Sequence, residues 1–543
     1  MAGFDTTVNL IASGALALPN HPQGLARLRA NRSLLPASVG VPAAWPTRRR
    51  TKAAWAPAQF APPLYRILVY QDSGKLSQNM RRRVGFFAVC LAYCMIILDG
   101  AVLNVAVPAV RRDLGTSMAA VQWVLDGYTL PLAGLLLTAG VLGDRFGLRR
   151  MLLSGTVVFT AASAACALAP DSAALITSRA VQGIGAAALL PATLAVIPHM
   201  FDMAEQRARA TVIWVAAGSL SIAAAPLIGG VLIDAFGWRS IFVINLPLGV
   251  LSLVLGWRTV PATPVTSTPL DRTGPVMAAG TLGLIAAGLI LGGANGWGAP
   301  VTVGLLAAGM VAAAVFAATQ RSAERRGLRP MVPPSFFRER VRAVSVLSAG
   351  LMGFAFYGTL LTMSVYYQQA RGYSPGGAGL ALLPLTAGSA IGPLIAYRPL
   401  AQRFGHAAML LSGFACAACG AVVLGTVGMA TPYPVVCAGM LLVGGASTIA
   451  FSALTSLLMA HLPPAQSGLA SGLQNTTRQS GALFAVSVFG AVLNTAEPAG
   501  RIPAAFVIAG SATVAGMACG VIAIRATRIQ AETAVAEKWR VNG

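Results

Sequence analysis

Four charged side chains stand deep inside long apolar stretches of this chain: Asp99, Asp126, Arg179 and Arg478. A charge in a medium that cannot solvate it is costly, so residues kept there default to functional candidates. Two carboxylates and one guanidinium fall in the first half of the chain, which leaves one acid without a counter-charge. Desolvation and a neighbouring like charge favour the protonated acid; an adjacent guanidinium favours the ionised one. Such a set can take up and release a proton near neutral pH. Asp99 is the expected proton carrier, with Arg179 tuning it and Asp126 as the competing carrier. A static ion pair tying three helices together is the alternative.

The elements that position these charges follow from composition. Of 543 residues, 56% are apolar and 10% charged, against about 25% charged in a soluble domain. The apolar residues come in blocks long enough to cross about 30 Å of hydrocarbon at 1.5 Å per residue. Fourteen blocks are predicted, near 84–108, 121–142, 151–169, 174–197, 210–232, 240–256, 275–292, 301–319, 343–367, 378–397, 407–427, 433–459, 470–493 and 504–524. The fold class is therefore an all-α polytopic membrane protein. The 59 glycines and 33 prolines are tolerated in lipid, where neighbouring helices satisfy freed backbone groups. With the termini on one side, 23 Lys/Arg fall on that side and 5 on the other, which assigns both termini to the cytoplasm. In that register Asp99, Asp126 and Arg179 share the outer half of the membrane.

The net charge of +23 invites a nucleic-acid reading, but the basic residues sit in short loops between apolar blocks and form no basic domain. Arg outnumbers Lys 36 to 3, the bias of a high-GC bacterial genome, so the expected location is a bacterial inner (plasma) membrane. Residues 1–80 are rich in proline and basic residues and lack a signal-peptide pattern. They read as a disordered cytoplasmic extension, with Met80-Arg81-Arg82-Arg83 a candidate natural start. The seven cysteines (90, 94, 166, 416, 419, 437 and 519) lie inside apolar blocks and read as small core residues. No His/Glu/Cys spacing suits a metal and no Gly-Lys-Ser/Thr loop suits a nucleotide. No enzyme activity, metal or cofactor is expected, and any work would be drawn from an ion gradient.

An internal repeat divides the blocks. Residues 143–155 (GDRFGLRRMLLSG) and 401–413 (AQRFGHAAMLLSG) match at eight of thirteen positions with an offset of 258. That offset maps blocks 1–6 onto 9–14 and leaves 7 and 8 over. The expected organisation is a six-helix bundle over 81–257, a two-helix insertion over 258–341, a second six-helix bundle over 342–525 and a tail over 526–543. Tandem halves around a midplane site suit alternating access. The second copy replaces Asp144 with Gln402, and Arg149 and Arg150 with Ala407 and Ala408.

Several of these segments resemble one family. Gly143-Asp144-Arg145-Phe146-Gly147-Leu148-Arg149-Arg150 is similar to the cytoplasmic loop signature of the major facilitator superfamily. Leu98 through Pro108 (LDGAVLNVAVP) resembles the first-helix motif of its fourteen-helix drug:proton antiporter-2 family, and Arg179 through Ala186 (RAVQGIGA) the fourth-helix motif. Trp238-Arg239, Phe242, Asn245 and Pro247 are similar to the connection of helices 5 and 6, and Gly468 through Gly472 with Asn475, Thr476, Arg478 and Gln479 to the start of helix 13. In helix 5, Ala225-Pro226-Leu227-Ile228-Gly229-Gly230 keeps the proline and paired glycines of the antiporter motif and replaces its first glycine with alanine. The resemblance spans roughly 81–525. It implies a proton role for Arg179, an inner-gate latch at Gly143, Asp144, Arg145, Gly147, Arg149 and Arg150, and a bent, tightly packed helix at Pro226, Gly229 and Gly230.

Amides and aromatics on the blocks are candidate cavity groups: Asn104, Trp123, Tyr128, Gln182, Gln368, Asn475 and Arg478, with Tyr93, Gln369 and Gln474 as further members. Gly183 and Gly185 read as close-packing positions. The expected function is proton-coupled efflux of drugs or of hydrophobic or cationic small molecules by a monomer in the lipid bilayer. Its partners are a small-molecule substrate and protons. A dedicated metabolite exporter and a proton symporter are the alternatives.

Overall fold

The computed structural model describes residues 63–265, 271, 273–328, 330–392, 397–460, 462, 467–494 and 498–542. Helices make up the regular structure of these residues. They are α1 (Pro63–Asp113), α2 (Met118–Phe146), α3 (Leu148–Ala167), α4 (Ser172–Ala195), α5 (Ala204–Phe236), α6 (Asn245–Thr259), α7 (Gly274–Asn295), α8 (Pro300–Arg325) and α9 (Arg340–Val365). There follow α10 in two segments (Pro375–Ala381 and Leu383–Ile391), α11 (Arg398–Gly425), α12 (Tyr433–Ala460), α13 (Ser467–Leu493) and α14 (Ile502–Asn542). Local chemistry sets their ends. Ser117 and Asp171 cap α2 and α4 by accepting the N–H groups of Ala120 and Ala174. Gly147, Gly237 and Gly296 end α2, α5 and α7 in the left-handed φ region that glycine enters without strain.

Among the described residues, twelve helices are long and apolar enough to cross a membrane. The chain is thus a multi-pass membrane protein, but two of the fourteen expected blocks fall short of that standard. The first half of α13 carries Gln474, Asn475, Arg478 and Gln479, which dilute its apolar character. α10 is broken at Leu382, just before Pro384, whose ring cannot continue the hydrogen-bond ladder. Upstream, α1 begins at Pro63, so helical backbone precedes Met80. Pro63 fits a first turn, and no proline follows it before Pro108. Expectations for residues 1–62 lie outside the described residues.

The repeat is visible in the backbone. The offset of 258 maps Gly147 onto Gly405, and both are left-handed, with φ of 92° and 83°. Helix pairing repeats as well: α2–α4, α3–α4 and α3–α6 in the first bundle correspond to α10–α12, α11–α12 and α11–α14 in the second. The bundles meet along α2–α13 and α5–α10, two seams that the same offset exchanges. In lipid, apolar burial gives helices little reason to associate, and close backbone packing takes over. A Cβ on Gly183 would strike the Tyr128 carbonyl, and one on Gly185 would press on the Phe159 backbone. Outward faces carry bare apolar side chains such as Val212, Leu220, Val422 and Val507. All seven cysteines are free. Cys416 and Cys419 depart from the core reading, because they are exposed on the outer face of α11.

The α7–α8 hairpin lies against both bundles. Gly134 of α2 packs on Ala279, and Gly293 packs on Ala491 of α13. Asp271 holds the ends of the hairpin together: its carboxylate accepts from the N–H groups of Thr273, Gly274 and Met331 and from the Gln320 amide. Partial burial pushes this carboxyl up, but the hydrogen bonds outweigh it and hold the carboxyl below its usual range. Its stabilising contribution is therefore present above the ordinary carboxylate pKa and is lost as pH falls through the lowered one.

A Gly183→Ala substitution is expected to lower the thermal unfolding midpoint of the detergent-purified protein by several degrees, about 1–3 kcal/mol of overpacking. Gly280→Ala, with nothing within 4 Å of the added Cβ, is expected to leave the midpoint unchanged.

Candidate functional site

Asp99 reaches the centre of the first bundle on α1, and α4 brings Arg179 and Gln182 to it from one helical face. Arg179 Nη1 donates to Asp99 Oδ2 at 2.5 Å, and Gln182 Nε2 donates to Oδ1 at 3.0 Å. Asn245, at the start of α6, donates its amide to the same Oδ1 at 2.8 Å. Behind them the Ser163 hydroxyl accepts from Gln182 and Asn245 and donates to the Phe242 carbonyl. The guanidinium also donates to the Val124 carbonyl at 3.3 Å and lies 4.2 Å from the Tyr128 ring centroid. No member of this group is more than 3% exposed. The ionised carboxylate is thus matched in charge and accepts three donors. That is the condition under which a buried ion pair is tolerated.

Asp126 is placed differently. It lies on α2, two residues before Tyr128, and turns away from Arg179 toward the second bundle. Its Oδ2 accepts from Ser487 Oγ of α13 at 2.8 Å, and its Oδ1, buried, has no partner. One turn earlier, Gln122 donates its amide to the carbonyls of Val486 and Ser487 at 3.2 and 2.9 Å. Asp126 is 0% exposed and no cation pairs with it among the described residues. Of the two expected acids, Asp99 is the compensated one and Asp126 the one left over. An ionised acid so placed has little to replace its hydration, whereas the neutral acid can be buried at far lower cost.

Asp126 belongs to a wider closure of the two bundles, at the end remote from the Gly143–Arg150 loop. Gln368 donates to the Val105 carbonyl and Ser364 to the Asn104 carbonyl. On the opposite seam, Thr386 donates to the Ala223 carbonyl. Asp234, near the end of α5, accepts from Ser374 Oγ and Gly376 N, each at 2.9 Å. It thereby caps the first segment of α10. Pro226 and Gly230 of the expected bend motif pack here: a Cβ on Gly379 would collide with the Pro226 carbonyl, and one on Gly230 with the Pro375 carbonyl. Gly229 faces Val102 of α1.

At the loop end, the Gly147 N–H closes on the Gly143 carbonyl, and Arg149 donates to the Trp257 carbonyl of α6 at 2.5 Å. Asp144, Arg145 and Arg150 are outside the buried interior, and Arg145 lies over its neighbour Phe146. The expected cavity groups divide. Tyr128 and Gln182 are sealed into the Asp99 cluster, and Asn104 bonds its own helix. Gln368 belongs to the far-end closure. Trp123 is half-buried and Gln369 exposed. Asn475 and Arg478 remain half-buried on α13, and Tyr93 stacks on Trp214 with ring centroids 3.8 Å apart. Asn245 entered the sequence reading only as part of a motif, and Ser163, Ser487 and Asp234 not at all. For Asn245, Ser163 and Ser487 a polar residue inside an apolar block was the one signal, and Asp234, just beyond the block 210–232, had none.

Arg179→Gln is expected to strand Asp99 and to lower stability by about 3–5 kcal/mol. The double variant with Asp99→Asn should recover much of that loss, a coupling that thermal unfolding of the four proteins in a double-mutant cycle would measure.

Comparison with known proteins places this geometry. Over 408 residues the chain is 33% identical to the methylenomycin A resistance protein of Streptomyces coelicolor, covering 75% of this chain and 85% of that protein. It is also 33% identical over 408 residues to the tetracenomycin C resistance and export protein of Streptomyces glaucescens, covering 75% of each. The fold is shared with the POT family transporter PepTSo in its in meso crystal structure, with a TM-score of 0.62 at 16% identity, over 82% of this chain and 98% of that one. The Major Facilitator Superfamily model matches residues 89–486, a range that contains the Asp99 cluster, Asp126 and the Gly143–Arg150 loop, and the chain belongs to that superfamily.

Proposed function

We propose that this protein exports drug-like small molecules from the cell by alternating access, in exchange for protons, across the inner membrane of a bacterium. Family membership and the resistance and export proteins among its relatives support the transport reading. One observation carries the proton reading: Asp126 is a fully buried acid that, among the described residues, has no cation and a single hydrogen bond, which crosses between the bundles. In this reading Asp126 binds the coupling proton, and the Asp99–Arg179 cluster fixes the helices around it.

The exchange follows from desolvation. Opening the far end breaks the Ser487 contact and admits water, and Asp126 then takes a proton from outside. The neutral acid can be reburied as the seam closes, and the proton leaves when the opposite end opens. Return with the carboxylate ionised and dry is disfavoured for the empty carrier, so in this reading the carrier moves inward with the proton and outward, deprotonated, only with substrate bound. Fourteen crossings by one chain, with both termini in the cytoplasm, complete this reading. Its support is the two-fold pairing of helices and the packing of α10 and α13 among the counted spans. A dedicated exporter of one secondary metabolite is the second reading, favoured by relatives named for single antibiotics.

Expression in a pump-deficient host is expected to raise tolerance to part of an antibiotic panel, and a protonophore should abolish that tolerance. Asp126→Asn, expressed at the same level, should abolish it too. An Asp126→Asn protein with undiminished proton-linked export would remove Asp126 from this role, and tolerance that survives the protonophore would remove the proton.

A further inference from the structure

Arg478 is the one interior charge that the two bundles leave both half-open and unpaired among the described residues. It lies eleven residues into α13, about 16 Å from the helix start. Its guanidinium has no carboxylate partner. It reaches Asn475 Oδ1 at 3.5 Å and lies 5.9 Å from the Phe451 ring centroid. The interior acids cannot serve it: Asp99 is committed to Arg179, and Asp126 sits nine residues further along, bonded to Ser487.

A second donor stands one turn away on the same helical face. Gln474 is 2% exposed. Its Oε1 accepts from the Thr455 hydroxyl at 3.0 Å, while its Nε2 amide, buried, has no partner. A buried amide donor without an acceptor and a guanidinium without a counter-charge, each so among the described residues, are both costly in this setting. Together they call for an acceptor that carries negative charge. Aromatic surface lies close by. Phe451 is on α12, with its ring centroid facing the guanidinium.

We infer that the exported substrate is an organic acid: its carboxylate or enolate is held by Arg478 and the Gln474 amide, and its planar body packs on Phe451. The inference rests on the export reading and narrows it. A cationic drug would meet the like charge of Arg478, contrary to the cationic class expected from sequence. Ion pairing of a guanidinium with a desolvated carboxylate is directional and strong, so the head group sets specificity and the aromatic surface tolerates variation in the body.

The test uses the full-length protein in lipid nanodiscs and three probes of one shape: anthracene-9-carboxylate, its methyl ester and 9-(aminomethyl)anthracene. Quenching of tryptophan fluorescence gives each affinity. The carboxylate is expected to bind wild type about tenfold or more tighter than the other two. Arg478→Gln should erase that preference, Arg478→Lys should keep part of it, and Gln474→Leu should reduce it. Thermal unfolding checks that each variant folds; if Arg478→Gln does not, the wild-type preference and Arg478→Lys decide. Equal binding of the three probes, preference for the amine, an acid preference that survives Arg478→Gln, or no binding of any probe would each overturn the inference. The two readings fail separately. Proton-linked export of a cationic dye that is unaffected by Arg478→Gln leaves export standing and removes the acid. Arg478-dependent binding of the acid without proton-linked transport in vesicles does the reverse.

Discussion

An ionised group inside hydrocarbon must find its counter-charge and its hydrogen bonds within the protein. The Asp99–Arg179 pair meets that demand in full. Arg179 supplies the charge, Gln182 and Asn245 supply further donors, and the Tyr128 ring covers the guanidinium. Four helices, α1, α2, α4 and α6, are tied at one point in this way. The cost of breaking the pair keeps them there, and the glycines at 183 and 185 allow the backbones to come close enough.

Satisfying one acid isolates the other. Because α2 places Tyr128 toward Arg179 and Asp126 toward α13, the two carboxylates of the first bundle experience opposite surroundings although their blocks adjoin in sequence. Asp99 belongs to the interior of a bundle and Asp126 to the seam between bundles. A proton on an interior group alters one bundle's stability, whereas a proton on a seam group alters the balance between open and closed states. The second seam has an acid of its own, since Asp234 caps α10 across the interface. Helix ends and paired glycines there supply the fit that side-chain hydrogen bonds supply on the first.

Much of this was legible in the chain before any coordinates. Block length follows from hydrocarbon thickness, which acts locally on any sequence, so a chain of many spans and its internal repeat could be read directly. The structure adds that Gly147 and its repeat counterpart Gly405 share a left-handed backbone. The span standard blurred at α13, which is polar where Arg478 and its neighbours lie. The close-packing reading of Gly183 and Gly185 was also available, since only small residues let helices touch in lipid.

Sequence by itself determined that the chain crosses a membrane many times, that its halves repeat, and that one interior acid in the first half lacks a cation. It could not decide which acid. That choice depends on the rotation of α2 about its own axis and on which bundle each face meets, contacts between residues more than three hundred positions apart, such as Asp126 and Ser487. For the same reason only the tertiary structure sorted the polar candidates into those sealed around Asp99, those closing the seams, and the pair of Arg478, without a carboxylate, and Gln474, whose amide N–H lacks an acceptor among the described residues. Whether a buried polar group is satisfied depends on its neighbours in space, and the folded chain alone supplies them.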